Sequence, residues 1–277
     1  MAGGKVVFVR IITDPDEARR AFEPWRKQHA QPAWRPVTEP GEGPVAASHF
    51  GGRPALLPGE PWPTCKACGH PQTLFLQLDL DRLPPDAGDF GGGLLQFFYC
   101  TDCNDGDVDP SLPFSDAHLL RRLRDVGELS LGTLAAAGEG ADLVEWLEPR
   151  TIVGWTAFDD GPHYEEVEDL GLQVVKANRA NEPWQLHWPA GKVAAIDAEG
   201  EFPHVIGAAE GDKLGGWPYW VQSWRWVACP KCEAIMRLLV QIDSDGSLPF
   251  MFGDSGVGHV MQCPNHPDVL SFAWDGC

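Results

Sequence analysis

The stretch GGRPALLPGEPWPTCKACGHPQTLFLQLDLD, residues 51–81, returns 164 positions later as GGWPYWVQSWRWVACPKCEAIMRLLVQIDSD, residues 215–245, and the two align without a gap. Ten of the 31 aligned positions are identical, among them Gly51/Gly215, Gly52/Gly216, Pro54/Pro218, Trp62/Trp226, Cys65/Cys229 and Cys68/Cys232. Leu74, Gln77, Asp79 and Asp81 fall on Leu238, Gln241, Asp243 and Asp245. Downstream the offset slips to 163, where Cys100 and Cys103 meet Cys263 and His266. Each copy therefore reads Gly-Gly-x-Pro, Cys-x-x-Cys, an apolar run ending in Gln-x-Asp-x-Asp, then Cys-x-x-(Cys or His). Rare residue types recurring at fixed spacing imply a duplicated metal module, copy one over about 51–103 and copy two over about 215–266.

A Cys-x-x-Cys unit turns two sulfurs inward from one tight knuckle, and two knuckles complete the tetrahedron that zinc favours. Cys65, Cys68, Cys100 and Cys103 make one set; Cys229, Cys232, Cys263 and His266 make the other. Spacing leaves open whether knuckles pair within or between the copies. Four protein donors leave no position for a reacting water, so the sets predict two structural Zn²⁺ ions rather than catalytic ones. Ordinary thiols or a redox disulfide are the competing readings, the latter without the βαβ pattern of thioredoxin-like motifs. His70 could replace a cysteine but reads as a surface residue, and Cys277 is left as a spare thiol.

The chain has 277 residues, eight cysteines and a net charge of −19. That length can bury a substantial core. Eight cysteines are too sparse for a disulfide scaffold, and paired ones in a reducing compartment point to metal. The charge argues against nucleic acid, whose phosphates need Lys and Arg in excess; a basic protein client fits its sign, as does a purely solubilising role. No run approaches the roughly 18 apolar residues of a membrane helix, and no signal peptide is recognisable, so a soluble, cytoplasmic protein is expected.

Residues 1–44 read as a strand over Lys5–Ile12, a helix opened by Thr13-Asp14-Pro15 and ended or kinked at Pro24, and the start of a Pro/Gly-rich, irregular connection over 31–59. Residues 45–277 form the repeated domain. Thr73–Leu80 and Leu94–Tyr99 read as strands, the first with one buried face. His118–Val126 carries Leu119, Leu120, Leu123 and Val126 at helical spacing and is read as a helix. Thr151–Trp155 and Leu238–Ile242 read as strands, and the glycines of 252–258 as a tight turn. Asp159, Asp160, Glu165, Glu166, Glu168 and Asp169 read as a solvated acidic loop. The fold class that follows is α+β, mainly β: internally duplicated antiparallel sheets with zinc-ribbon-like knuckles and a pseudo-two-fold.

GGRPALLPGEPWP (51–63), LFLQLDLD (74–81), GLLQFFY (93–99), GWTAFDDGPHY (154–164), KLGGWPYWVQ (213–222), LLVQIDSD (238–245), FGDSGVGHVM (252–261) and the terminal WDGC (274–277) resemble the bacterial YwqG family of domains of unknown function. The likeness spans roughly residues 45–277 and implies a mainly β, internally repeated fold, without a reaction. The order Gly-Gly-x-Pro, Cys-x-x-Cys, Leu-Gln-x is more distantly similar to the programmed cell death protein 2 family, whose members are implicated in escorting a ribosomal protein. Two complete cysteine sets depart from the usual YwqG pattern.

Three functions are compatible with these features. The first is a non-enzymatic, protein-binding or chaperone-like module stapled by zinc. The second is a hydrolase using Asp79, Asp81, Asp243 and Asp245 or a partly open zinc site, although an Asp at a strand end more often caps a turn. The third is a toxin-neutralising protein. His187, His204 and His259 assemble no catalytic motif.

Overall fold

The computed structural model describes residues 11–12, 14–103, 108–124, 127–163, 166–175, 184–188, 192–196, 207–222 and 226–276. In chain order the elements are β1 (Ile11–Ile12), α1 (Pro15–His29), β2 (Gln31–Pro40), β3 (His49–Phe50), β4 (Ala55–Leu56), β5 (Thr73–Asp79), β6 (Leu94–Tyr99), β7 (His118–Leu123), β8 (Ser130–Leu131), β9 (Arg150–Asp160), β10 (Gln173–Val175), β11 (Trp184–Trp188), β12 (Lys192–Ile196), β13 (Lys213–Gly215), β14 (Arg237–Asp243), β15 (Val257–Gln262) and β16 (Leu270–Asp275). They belong to two compact units, one of residues 1–31, 159–209 and 217–219, the other of 32–158, 210–216 and 220–277.

In the smaller unit a four-stranded sheet runs β1-β12-β11-β10. Asp14 caps α1, accepting from the Glu17 N–H at 2.7 Å, with Pro15 in the first turn and Arg26, Lys27 and His29 in the last. The helix does not end at Pro24 but continues to His29. Its last turn is held from outside the helix: Trp25 Nε1 donates to the Leu170 carbonyl, Arg26 to that of Asp159, and the Trp217 indole to that of His29. Those bonds offset the ladder bond a proline removes. The acidic loop is also not simply solvated. Asp160 and Glu166 are buried, and Asp160 accepts from the N–H groups of Ala209 and Trp217. Glu165, His204, Cys277 and residues 5–10 lie outside the described residues.

The larger unit holds a ten-stranded sheet, ordered β16-β15-β14-β13-β2-β9-β3-β5-β6-β7, and a two-stranded one, β4-β8. Both runs of five, β16 to β2 and β9 to β7, are antiparallel throughout. The first ten residues of the expected irregular connection are therefore strand, paired to β13. The sheet is nearly closed: Phe97 of β6 packs on Phe272 of β16 with centroids 4.3 Å apart, and Phe75, Tyr99, Phe250 and Phe252 complete the aromatic core around them. Aromatic rings fill this space with little rotamer entropy to lose.

Three local outcomes follow from that packing. His118–Leu123 is a strand and not a helix, because pairing along the whole of β6 satisfies its backbone. Leu120 packs on the core, while Arg121 on the opposite face bonds Gln96 and pairs with Glu60; tertiary pairing overrides the leucine spacing. Strand β5 is buried on both faces, not one. Its second face is covered by Ala55, whose N–H donates to the Gln77 side chain, while that side chain donates to the carbonyls of Val45 and Ala47. Finally, the Gly-Gly pairs are demanded by backbone: Gly51, Gly52, Gly215 and Gly216 all have φ between 60° and 73°.

Candidate metal centres

Each Cys-x-x-Cys segment is a short hairpin turn closed by its own backbone. In the first, the Cys65 N–H donates to the His70 carbonyl at 2.7 Å and Gly69 N–H returns to the Cys65 carbonyl at 2.9 Å. In the second, Cys229 N–H donates to Ala234 and Glu233 N–H returns to Cys229 at 2.9 and 2.8 Å. Gly69 and Glu233, at equivalent positions, both take positive φ, 77° and 59°. That left-handed residue after the second cysteine turns the chain back so that both sulfurs face one side. Trp62 buttresses the first turn, donating from its indole to the Gln72 carbonyl at 2.8 Å.

The remaining donors come from the ends of strands. Cys100 directly follows β6 and Cys263 directly follows β15, so each completes the turn within its own copy. Cys65, Cys68, Cys100 and Cys103 place their sulfurs within 4.8 Å of one another, as do Cys229, Cys232, Cys263 and the ring nitrogen of His266. Cys68 Sγ lies 3.5 Å from Cys100 Sγ, and Cys232 Sγ lies 3.6 Å from Cys263 Sγ. His266 Nδ1 is 3.7 Å from Cys263 Sγ and 3.8 Å from Cys229 Sγ. These separations are far beyond a disulfide bond of about 2.05 Å, and all seven described cysteines are free thiols.

The surroundings oppose four thiolates in the absence of a cation. Burial pushes the Cys100 thiol well up, and burial with the nearby Cys65 sulfur pushes Cys103 up to about 11. At Cys68 burial also pushes upward, but hydrogen bonds from the His70 backbone and the neighbouring thiols outweigh it and the net direction is down. In the second set burial raises Cys263, whereas Cys232, open to solvent, is held down to about 6 by the Ala234 N–H and the Asn265 side chain. Donor groups of this type, converging at this separation, fit a metal ion, whose charge would make the thiolates compatible. The two sets could each hold one ion.

His70 is not among the converging donors; its ring pairs with Asp102 at 2.7 Å and ties one knuckle to the other. Three of the four recurrent aspartates accept backbone N–H groups. Asp79 accepts from the Asp81 N–H at 3.1 Å and Asp243 from the Asp245 N–H at 3.0 Å, while Asp81 accepts from Gly93 and Asp243 from Gly211. His259 is buried with its ring 4.6 Å from that of Trp220. Asp268, which sequence reading passed over, pairs with both Arg122 and Arg124. No pattern marks it in the sequence, because its partners lie over 140 residues away.

Among the described residues no helix is long and apolar enough to cross a membrane. A family model described as Domain of unknown function (DUF1963) matches residues 48–265. No curated protein matches the chain.

Proposed function

The chain belongs to the family described as Domain of unknown function (DUF1963), and within it we propose a cytoplasmic, non-enzymatic protein-binding module whose sheet is stapled by two structural zinc ions. The observation that carries the metal half is the pair of four-donor sets. Zinc–thiolate bonds of about 2.3 Å in a tetrahedron put sulfurs about 3.8 Å apart, close to the 3.5 and 3.6 Å separations here. Thiolate-rich tetrahedral donors favour zinc or iron, and a histidine among them is common for zinc. With four donors apiece, neither site keeps a position for water. On this reading the repeated ligands arose by duplication, and they are where the chain departs from the usual YwqG pattern.

For the binding half, the support is chemical. The chain carries a net charge of −19, and the 131–147 segment leaves Leu134, Leu143 and Trp146 about two-fifths exposed, at 36%, 36% and 41%. Exposed apolar side chains within an acidic surface suit a basic protein client with apolar anchors. Of the aspartates that a hydrolase would use, Asp79, Asp81 and Asp243 already accept backbone N–H groups.

Native mass spectrometry of the protein gently purified from its own host tests both halves. Two retained zinc ions and a co-purifying basic protein are expected. A chain carrying fewer than two metals sinks the two-site reading, and a fully loaded chain that retains no partner sinks the binding one.

A further inference from the structure

The ten-stranded sheet ends at β7 on one side and β16 on the other, and the two edges face each other without joining as a ladder. Unpaired edges are normally covered or paired. Here the join is made by side chains and loops. A cavity of about 230 Å³ lies in the seam, lined by His118, Leu119 and Leu120 from β7 and by Leu270 and Ser271 from β16. The Ser271 hydroxyl is buried there without a hydrogen-bond partner.

Both metal centres sit at the starts of these edge strands. Cys100 N–H donates to the carbonyl of Ala117 at 2.9 Å, one residue before β7; Cys263 N–H donates to that of Val269 at 3.0 Å, one residue before β16. Each connection that carries a second knuckle also reaches across to the opposite edge. From the first, the Ser111 carbonyl accepts from the Trp274 N–H of β16 at 3.2 Å. From the second, Asp268 accepts from Arg122 of β7 and from Arg124 just beyond it.

The two latches differ in their distance from the metal donors. Ser111 lies eight residues beyond Cys103, whereas Asp268 lies two beyond His266, inside a turn closed by the Val269 N–H on the His266 carbonyl at 2.8 Å. The Arg122 side chain it holds is only 3% exposed, and its Nη1 also donates to the carbonyls of Phe90 and Gly91. Shifting His266 therefore displaces the anchor of a buried guanidinium on the opposite edge.

Resting on the metal reading above, we infer that the second centre is the latch of the sheet: metal on Cys229, Cys232, Cys263 and His266 closes the β7–β16 seam, and its loss parts the two edges. The first centre holds β7 locally without governing the seam. Loss at the second centre uncovers both unpaired edges, the form of backbone that accepts a further strand.

Hydrogen exchange of the full-length chain tests this, with metal counted by native mass spectrometry in the same samples. Emptying the second centre by His266→Ala is expected to speed exchange over 118–124 and 270–275 by roughly tenfold or more, while β5 and β14 stay protected. Asp268→Asn, which touches no metal donor, should keep both ions yet release 118–124. A second centre shown to be empty while the edges remain protected overturns the inference and leaves the metal reading standing. So does wild-type protection in Asp268→Asn. A wild-type chain that never carries metal there overturns the metal reading itself, and the latch with it.

Discussion

At the first centre Cys100 and Cys103 are pushed up by burial, Cys103 to about 11, while at the second Cys232 stands in solvent and is held down to about 6. The knuckle backbones are near copies, down to the left-handed residue at Gly69 and Glu233. What separates the centres is what packs over them. The first, with Cys65 also donating to the Asp116 carbonyl, has no fully exposed sulfur, although the net direction at its half-buried Cys68 is down; the second keeps one solvent-facing sulfur, Cys232, beside a buried Cys263 that is pushed up. Like donor sets thus differ in how far their surroundings shelter them.

The largest effect that would break this contrast is on stability. Cys100→Ser should remove the first ion and lower stability by several kcal/mol, on the scale of a structural zinc site in a small domain. Cys232→Ser should leave a folded chain with one ion and a smaller fall in melting temperature. Thermal melts read beside metal stoichiometry check this, and equal losses would abolish the distinction.

A smaller effect distinguishes the two edges by pH. Burial holds the His118 imidazole at the start of β7 down to about 4, from an ordinary value of 6.5; the start of β16 carries Leu270 instead. Above pH 6.5 the ring is neutral whether folded or not and adds no pH dependence. As pH falls from 6.5 towards 4 only the unfolded chain takes the proton, so stability is lost across that window. Between pH 6.5 and 5, His118→Gln is expected to lose about 2 kcal/mol less than wild type, read as a shallower slope of melting temperature against pH. Identical slopes would remove His118 from the account.

The smallest effect is at His70, whose pairing with Asp102 is two-fifths exposed, at 42% and 45%. His70→Ala should cost under about 1 kcal/mol, as exposed pairs do, with the metal retained. Loss of the first ion in this variant would make His70 a donor and redraw the comparison.

Much of this was legible in local sequence. Asp14-Pro15 signalled a helix start, and LLQFFY at 94–99 signalled a strand, because each depends on short-range sterics and hydrogen bonding. The segment 118–126 misled because three leucines fit either period until β6 is present to pair with. Pro24 misled because the bonds that hold the helix beyond it come from Leu170, Asp159 and Trp217.

Sequence by itself determined which residue types can act as metal donors and how the two sets match, since a Cys-x-x-Cys turn is closed by hydrogen bonds within six residues. Tertiary structure alone decided that β2, which precedes the first copy, pairs with β13 at the entry to the second, and that β9, which precedes the second, pairs with β3 at the entry to the first. It also decided that Asp268 meets Arg122 and Arg124 across the seam. Partners so distant along the chain leave no local pattern, because burial and long-range strand pairing, rather than spacing, bring them together.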